Sequence, residues 1–170
     1  MKTSNLTYSV WGIFNIEDKF YLESLKKKMQ KELKGPRFPI HFTVSPHFLG
    51  KENEIINKLS YISKKIKNFH IYTNNYGFKK KFFQSIFVKV NLTNDLKNNK
   101  AVIDNYLNIK KKYFFPHISL FYGNLKKEQK KNYIKNFKNF KKKIKVRMLC
   151  LVENDEKNLK WKIIKKFKIK

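Results

Sequence analysis

FFPHISLFYG, residues 114–123, reads as a buried β-strand whose apolar run is interrupted by His117 and Ser119, two positions apart. Successive side chains of a strand point to opposite faces, so His117 and Ser119 share one side while Pro116, Ile118 and Leu120 share the other. Two polar groups on one face of an apolar strand need partners, because a buried donor or acceptor left unpaired costs about 1–3 kcal/mol. A second stretch, PIHFTV at residues 39–44, repeats the arrangement, with His41 and Thr43 on one face and Ile40, Phe42 and Val44 on the other. The chain has four histidines, and two of them head the same His-x-hydroxyl tripeptide, each preceded by proline within two residues. His47 and His70 lack a serine or threonine two positions on and read as structural.

Two such strands side by side bring two imidazoles and two hydroxyls to one small space, a set of groups suited to phosphate-ester chemistry. One histidine can take a proton from an attacking water while the other gives one to the departing oxygen. Both tasks suit a pKa near 6.5. The hydroxyls can donate hydrogen bonds to the non-bridging phosphate oxygens, where charge must be held in the transition state. Neither His-x-x-x-His nor Cys-x-x-Cys spacing occurs, so the residues lead us to expect no metal and no cofactor.

Around the motifs the hydrophobic pattern alternates between strand and helix periods. A first strand is expected over residues 6–14 (LTYSVWGIF), followed by a helix carrying Leu22, Leu25, Met29 and Leu33 that Gly35-Pro36 terminates. The first motif lies in an expected strand over residues 38–45. Ile55, Leu59, Ile62 and Ile66 mark a second helix, NFHIYTNN a strand, and FFQSIFVKV (82–90) another. Leu96, Ile103 and Leu107 mark a third helix, HISLFYG the second motif strand, and Tyr133, Phe137 and Phe140 a fourth helix. Two final strands join in a hairpin around Asn154-Asp155. No Gly-rich phosphate loop and no Pro/Gly/Ser-rich linker interrupts this order, which excludes a Rossmann or P-loop site and points to one α+β domain spanning 1–170.

At 170 residues, 41% of them hydrophobic and 16% aromatic, the chain can bury a sizeable core without a disulfide. Cys150, the one cysteine, sits in VRMLCLV and reads as a small buried hydrophobe. The start lacks the pattern of a secretory signal and no apolar run reaches bilayer length, so a soluble cytoplasmic protein is expected. The net charge of +28 invites a nucleic-acid reading. All but two of the 40 basic residues are lysine, however, which lacks the bidentate fork of Arg37 and Arg147, and the chain is rich in residues with A/T-heavy codons. The lysines are therefore expected on exposed helix faces (Lys26 to Lys28, Lys64, Lys65, Lys111, Lys112 and Lys141 to Lys143) rather than at the motifs.

With two His-x-Thr/Ser motifs, a YSVW strand ahead of the first, FFQSIF between them and PHISLFYG at the second, the sequence resembles the 2H phosphoesterase superfamily. It is most similar to the cyclic phosphodiesterase branch, which acts on 2′,3′-cyclic nucleotides. Ile40 in place of a proline before His41, and Val44 in place of a commoner leucine, are small departures. The resemblance implies two similar lobes about an approximate twofold axis, each an antiparallel sheet backed by helices, with a cleft between. It implies His41 and His117 as the acid–base pair, Thr43 and Ser119 on the phosphate, and Trp11 and Tyr122 at the substrate. Metal-independent opening of a 2′,3′-cyclic phosphodiester to the 2′-phosphate by a monomer, without membrane or protein partner, is the activity implied. RNA ends or 2′,5′-linked oligonucleotides are alternative substrates, and a non-catalytic basic RNA-binding protein is the alternative of another class.

Overall fold

The computed structural model describes residues 7–110, 113–137 and 140–170, so Lys111 and Lys112 lie outside the described residues. The strands are β1 (Thr7–Phe14), β2 (Phe42–Phe48), β3 (Phe69–Phe78), β4 (Ile86–Val90), β5 (His117–Phe121), β6 (Lys143–Asp155) and β7 (Lys160–Lys168). The helices are α1 (Ile16–Leu33), α2 (Glu52–Ser63), α3 (Asn94–Tyr106) and α4 (Lys127–Lys135). All strand pairings are antiparallel, in the order β2-β1-β6-β3-β4-β5 with β7 also paired to β6.

Two lobes meet through β3 and β6. The start of β3, Phe69–Tyr72, pairs with Lys143–Val146 of β6, and from Thr73 onward β3 pairs with β4 instead. The rest of β6 pairs with β1 on one side and β7 on the other. This leaves β2 at the edge of one lobe and β5 at the edge of the other, and these two strands touch. They are the strands of the two His-x-hydroxyl motifs. Alternation decides what each presents: Ile118 and Leu120 join the main core, as do Phe42 and Val44, while the hydroxyl residues face the other way. On β1, Tyr8, Val10 and Phe14 are in the core, whereas Ser9 and Trp11 are on the face shared with Thr43.

Local signals set the helix ends. The Asn15 side chain accepts from the Asp18 amide at 3.2 Å to cap α1, and Thr93 accepts from the Leu96 amide at 3.2 Å to cap α3. At the far end of α1 it is Lys34, not Gly35, that adopts the left-handed conformation (φ 54°). Gly35 serves close approach: a Cβ there would lie 2.3 Å from the Phe121 ring.

Five expected elements are displaced, one of them the second helix, which ends at Ser63 short of Ile66. The first motif strand begins at Phe42 rather than at 38, because the backbone of Phe38 to Ile40 bonds to α1 side chains instead of a neighbouring strand. The Ile40 amide donates to Glu23 Oε1 at 2.9 Å and Lys26 Nζ donates to the Phe38 carbonyl, while Pro39 has no amide to offer. That places Lys26 in the interior, 4% exposed and paired with Glu23, not on the solvated face expected of it. Phe82–Gln84 form a 3-10 turn, tied off where the Lys79 amide donates to the Gln84 carbonyl at 2.9 Å, so the strand starts only at Ile86. The fourth helix ends before Phe137, and the final hairpin turns at 156–159, one step beyond Asn154-Asp155.

Candidate active site

His41 and His117 are held in the same way. His41 Nδ1 lies 2.7 Å from the Pro39 carbonyl and His117 Nδ1 lies 2.8 Å from the Phe115 carbonyl, in each case the residue two positions earlier. A carbonyl only accepts, so each Nδ1 carries hydrogen and each neutral ring keeps its lone pair on Nε2. The twofold relation extends to the strand beneath. Thr43 pairs with Trp11 on β1, and Ser119 pairs with Phe87 on β4, so an aromatic ring sits across from each hydroxyl. Trp11 stacks on His41 with ring centroids 3.5 Å apart and planes 5° from parallel, and Phe87 meets His117 edge-on at 5.3 Å.

His41, Thr43, His117, Ser119, Trp11 and Tyr122 all line a single cavity between the lobes, about 290 Å³ in volume, near the lower end of small-ligand sites. Trp11 is 2% exposed and one of its faces is covered by the His41 imidazole, a partner that the sequence does not reveal. Tyr122 stacks on Phe38 at 3.9 Å and lines the cavity together with Ser119. Burial raises the Tyr122 pKa, which keeps the phenol protonated. Ser119 Oγ also reaches the Phe83 carbonyl, at 3.3 Å.

Several lining residues escape sequence reasoning. Lys79 and Lys81 stand in the wall, so the lysines are not confined to helix faces. Lys79 Nζ sits 3.4 Å above the Phe115 ring. The run KKK at residues 79–81, directly before FFQ, was the available signal. Gln84, in the turn mistaken for strand, lines the cavity, and its side-chain oxygen is buried with no hydrogen-bond partner among the described residues. His47 lines the rim, bonded to Thr7 Oγ1 at 3.0 Å and to Glu156 Oε1 at 3.1 Å. Trp161 reaches the cavity from β7 because it pairs with Asn154 of β6. His70 is on β3 opposite Lys145 and does not line the cavity. Cys150 is fully buried beside Trp11, and burial pushes its thiol up to about 11. Among the described residues, no three His, Cys, Asp or Glu side chains gather as a metal site.

Burial pushes His41 down to about 3, aided by the nearby His117 and Lys26 and opposed by the Pro39 hydrogen bond. His117 is lowered too, by burial first and by Lys79 as well, against the bond to Phe115. Between pH 6.5 and about 3 the unfolded chain protonates a histidine that the folded chain keeps neutral, so this contribution is complete above 6.5 and is lost as pH falls. Asn at position 41 retains an amide donor for Pro39 but cannot titrate. In urea unfolding, wild type should therefore lose more stability than His41→Asn between about pH 7.5 and about pH 4.5. Equal losses would show that His41 titrates normally.

An α+β fold of two lobes with a His-x-Thr/Ser motif at each facing edge defines the 2H phosphoesterases. The family described as cyclic phosphodiesterase-like protein matches residues 15–170, and the chain belongs to it; the protein is a phosphodiesterase. The match begins just after β1, the strand that carries Trp11. A cyclic phosphodiesterase of Arabidopsis thaliana is 26% identical over 126 residues, which is 74% of this chain and 70% of that protein. E. coli LigT, solved with 3′-AMP, has a TM-score of 0.64 at 12% identity, covering 98% of this chain and 99% of that one. TT0787 of Thermus thermophilus has a TM-score of 0.63 at 16% identity, covering 96% and 97%. At these identities the structural likeness speaks to the fold. No helix among the described residues is long and apolar enough to cross a membrane.

Proposed function

We propose that the protein hydrolyses 2′,3′-cyclic nucleotide phosphodiesters to the 2′-phosphate without a metal. The observation that carries this reading is the pair of matching Nδ1 hydrogen bonds to Pro39 and Phe115, which leaves an Nε2 on each ring for chemistry in one cavity. One neutral Nε2 takes a proton from water as the oxygen attacks phosphorus. The other imidazolium gives its Nε2 proton to the 3′ oxygen as the phosphorus–oxygen bond to it breaks, and the 2′ oxygen keeps the phosphate. Thr43 and Ser119 donate to the non-bridging oxygens as charge grows there. The anion itself helps to charge the second histidine, since a nearby negative charge raises a pKa that burial has lowered. The Arabidopsis relative is named a cyclic phosphodiesterase, and E. coli LigT has been solved with 3′-AMP and with ATP; both support a nucleotide in this cavity.

The test is incubation with 2′,3′-cyclic AMP after exhaustive EDTA treatment, resolving 2′-AMP from 3′-AMP. Undiminished formation of 2′-AMP is expected. Activity lost on chelation and restored by Zn²⁺ or Mn²⁺ would overturn the metal-free mechanism, and 3′-AMP as the product would overturn the choice of leaving oxygen.

A further inference from the structure

Residues 36–40, which lead into the first motif, belong to no strand and are held by side chains of α1. Gln30 Nε2 donates to the Pro36 carbonyl at 2.6 Å, Lys26 Nζ donates to the Phe38 carbonyl, and Glu23 Oε1 accepts from the Ile40 amide at 2.9 Å. Glu23, Lys26 and Gln30 stand three and then four residues apart, so they share one face of the helix. Their partners fall at every second residue of the segment, in the opposite direction. The helix thus supplies the bonds that a neighbouring strand would otherwise give.

The cation in this ladder is an unusual choice for packing. Lys26 is buried, and burial lowers its pKa against the bond to Glu23 at 2.8 Å. An apolar residue of similar volume is often as good for stability at such a place. What Lys26 adds is a double hold on Phe38, at its carbonyl and over its ring, 5.1 Å from the centroid. That ring stacks on Tyr122 and meets His41 edge-on at 6.4 Å, and the next carbonyl along, that of Pro39, is the one bonded to His41 Nδ1. The second motif is held otherwise. There the Val90 amide of β4 donates to the Pro116 carbonyl at 3.2 Å and Lys89 is in register with His117, so backbone bonds seat the residues around the Phe115 carbonyl.

We infer that Glu23 and Lys26 are positioning residues for His41: through the Ile40 amide and the Phe38 carbonyl they set the Pro39 carbonyl between them, and so which ring nitrogen of His41 carries hydrogen and where its Nε2 points. The inference rests on the acid–base role proposed above for His41, and it gives the two imidazoles different supports, side chains for His41 and backbone for His117. A change in α1 should therefore disturb one histidine and spare the other.

The experiment takes the full chain, labelled with ¹⁵N at the histidine imidazoles, as wild type, Lys26→Met, Glu23→Leu and Glu23→Gln. Spectra of His41→Asn and His117→Asn assign the two signals. At about pH 8 both rings are neutral, and nitrogen–proton correlation shows which nitrogen holds the hydrogen. Wild type should carry it on Nδ1 of both rings. Lys26→Met and Glu23→Leu should show it on Nε2 of His41 as well, because the tautomer follows the hydrogen bond, while His117 keeps it on Nδ1. Glu23→Gln, whose amide oxygen can still accept from Ile40, should resemble wild type at both rings. With 2′,3′-cyclic AMP, the first two variants should lower kcat about 10- to about 100-fold with KM within about twofold, the mark of a misplaced reacting group.

Unchanged His41 signals in both disruptive variants would overturn the inference. So would equal disturbance of His41 and His117, which marks a general loosening of the fold. Lys26→Met and Glu23→Leu remove different bonds, so either one decides the matter if the other does not fold. If wild type does not turn over the cyclic nucleotide but His41 alone changes its tautomer, the proposed chemistry fails and the positioning stands. If wild type and both variants turn over alike, the positioning fails and the chemistry stands.

Discussion

His41→Asn and His117→Asn should each lower kcat/KM for a 2′,3′-cyclic nucleotide by at least about 10²-fold while leaving the fold intact, the usual contribution of a positioned acid or base. Asparagine is the informative replacement because its amide nitrogen stands where Nδ1 stood. The hydrogen bonds to Pro39 and Phe115 can persist, and only Nε2 is removed. A purely structural histidine would survive this change, so folded Asn variants with near-normal turnover would sink the acid–base assignment. The pH profile of wild type should be bell-shaped, because one ring must be neutral and the other charged. Both rings are depressed in the empty cavity. The protonated partner is therefore lost early as pH rises, and the alkaline limb of kcat/KM should fall below pH 6.5, the ordinary imidazole value. The alkaline limb of kcat should lie higher, since bound phosphate favours the imidazolium. Each Asn variant should lose one limb of the bell.

The strands and helices were legible where one face of an element met the core and the other did not. Ile118 and Leu120 against His117 and Ser119, or Leu22 and Met29 among lysines, announce their period in the sequence because burial is one-sided. The motif pair was legible for the same reason: a polar pair at spacing two in an apolar strand has no purpose in a core. Features fixed by a distant part of the chain were not legible. The displacement of the first motif strand depends on Glu23 and Lys26, which belong to α1 and hold the backbone of Phe38 to Ile40. That segment includes the Pro39 carbonyl which orients His41, so the pair of buried Lys26 with half-buried Glu23 stands directly behind the site. The helical period does set Lys26 apart from Lys27 and Lys28, since it shares the buried face with Leu22 and Met29, but nothing in the sequence names the Phe38 carbonyl as its partner.

The same limit explains the cavity wall. Trp161 enters through the register of β6 with β7, and Lys79 through a loop closed by the Gln84 carbonyl; neither is near a motif in sequence. The stacking of Trp11 on His41 follows from β1 and β2 being neighbours, which the sequence suggests, and from a bulge near Val10 that sets the local register, which it does not. Trp11 thus supports the imidazole with one face. Its flat π surface would also favour the charged ring over the neutral one, offsetting in part the burial that keeps His41 neutral.

Thr43→Val should cost about 10² to 10³ in kcat with little change in KM, the effect of removing one preorganised donor to a developing oxyanion. Valine keeps the shape and the strand pairing with Trp11, so the loss isolates the hydroxyl. Ser119→Ala should cost less, although the two motifs are related by the same pseudo-twofold. Ser119 lines the cavity together with Tyr122, whose phenol burial keeps protonated and able to donate in its stead. Ser119 Oγ is moreover partly engaged by the Phe83 carbonyl, so its deletion also frees that acceptor. The asymmetry has a direct check in a double-mutant cycle. Tyr122→Phe alone should be mild, while Ser119→Ala/Tyr122→Phe should reach the loss seen for Thr43→Val, exceeding the sum of the single effects in free energy because the two donors substitute for each other. Simple additivity would mean that Tyr122 does not reach the phosphate. Near-normal kcat in Thr43→Val would remove that hydroxyl from the transition state and leave the oxyanion to Ser119, Tyr122 and the lysines of the wall.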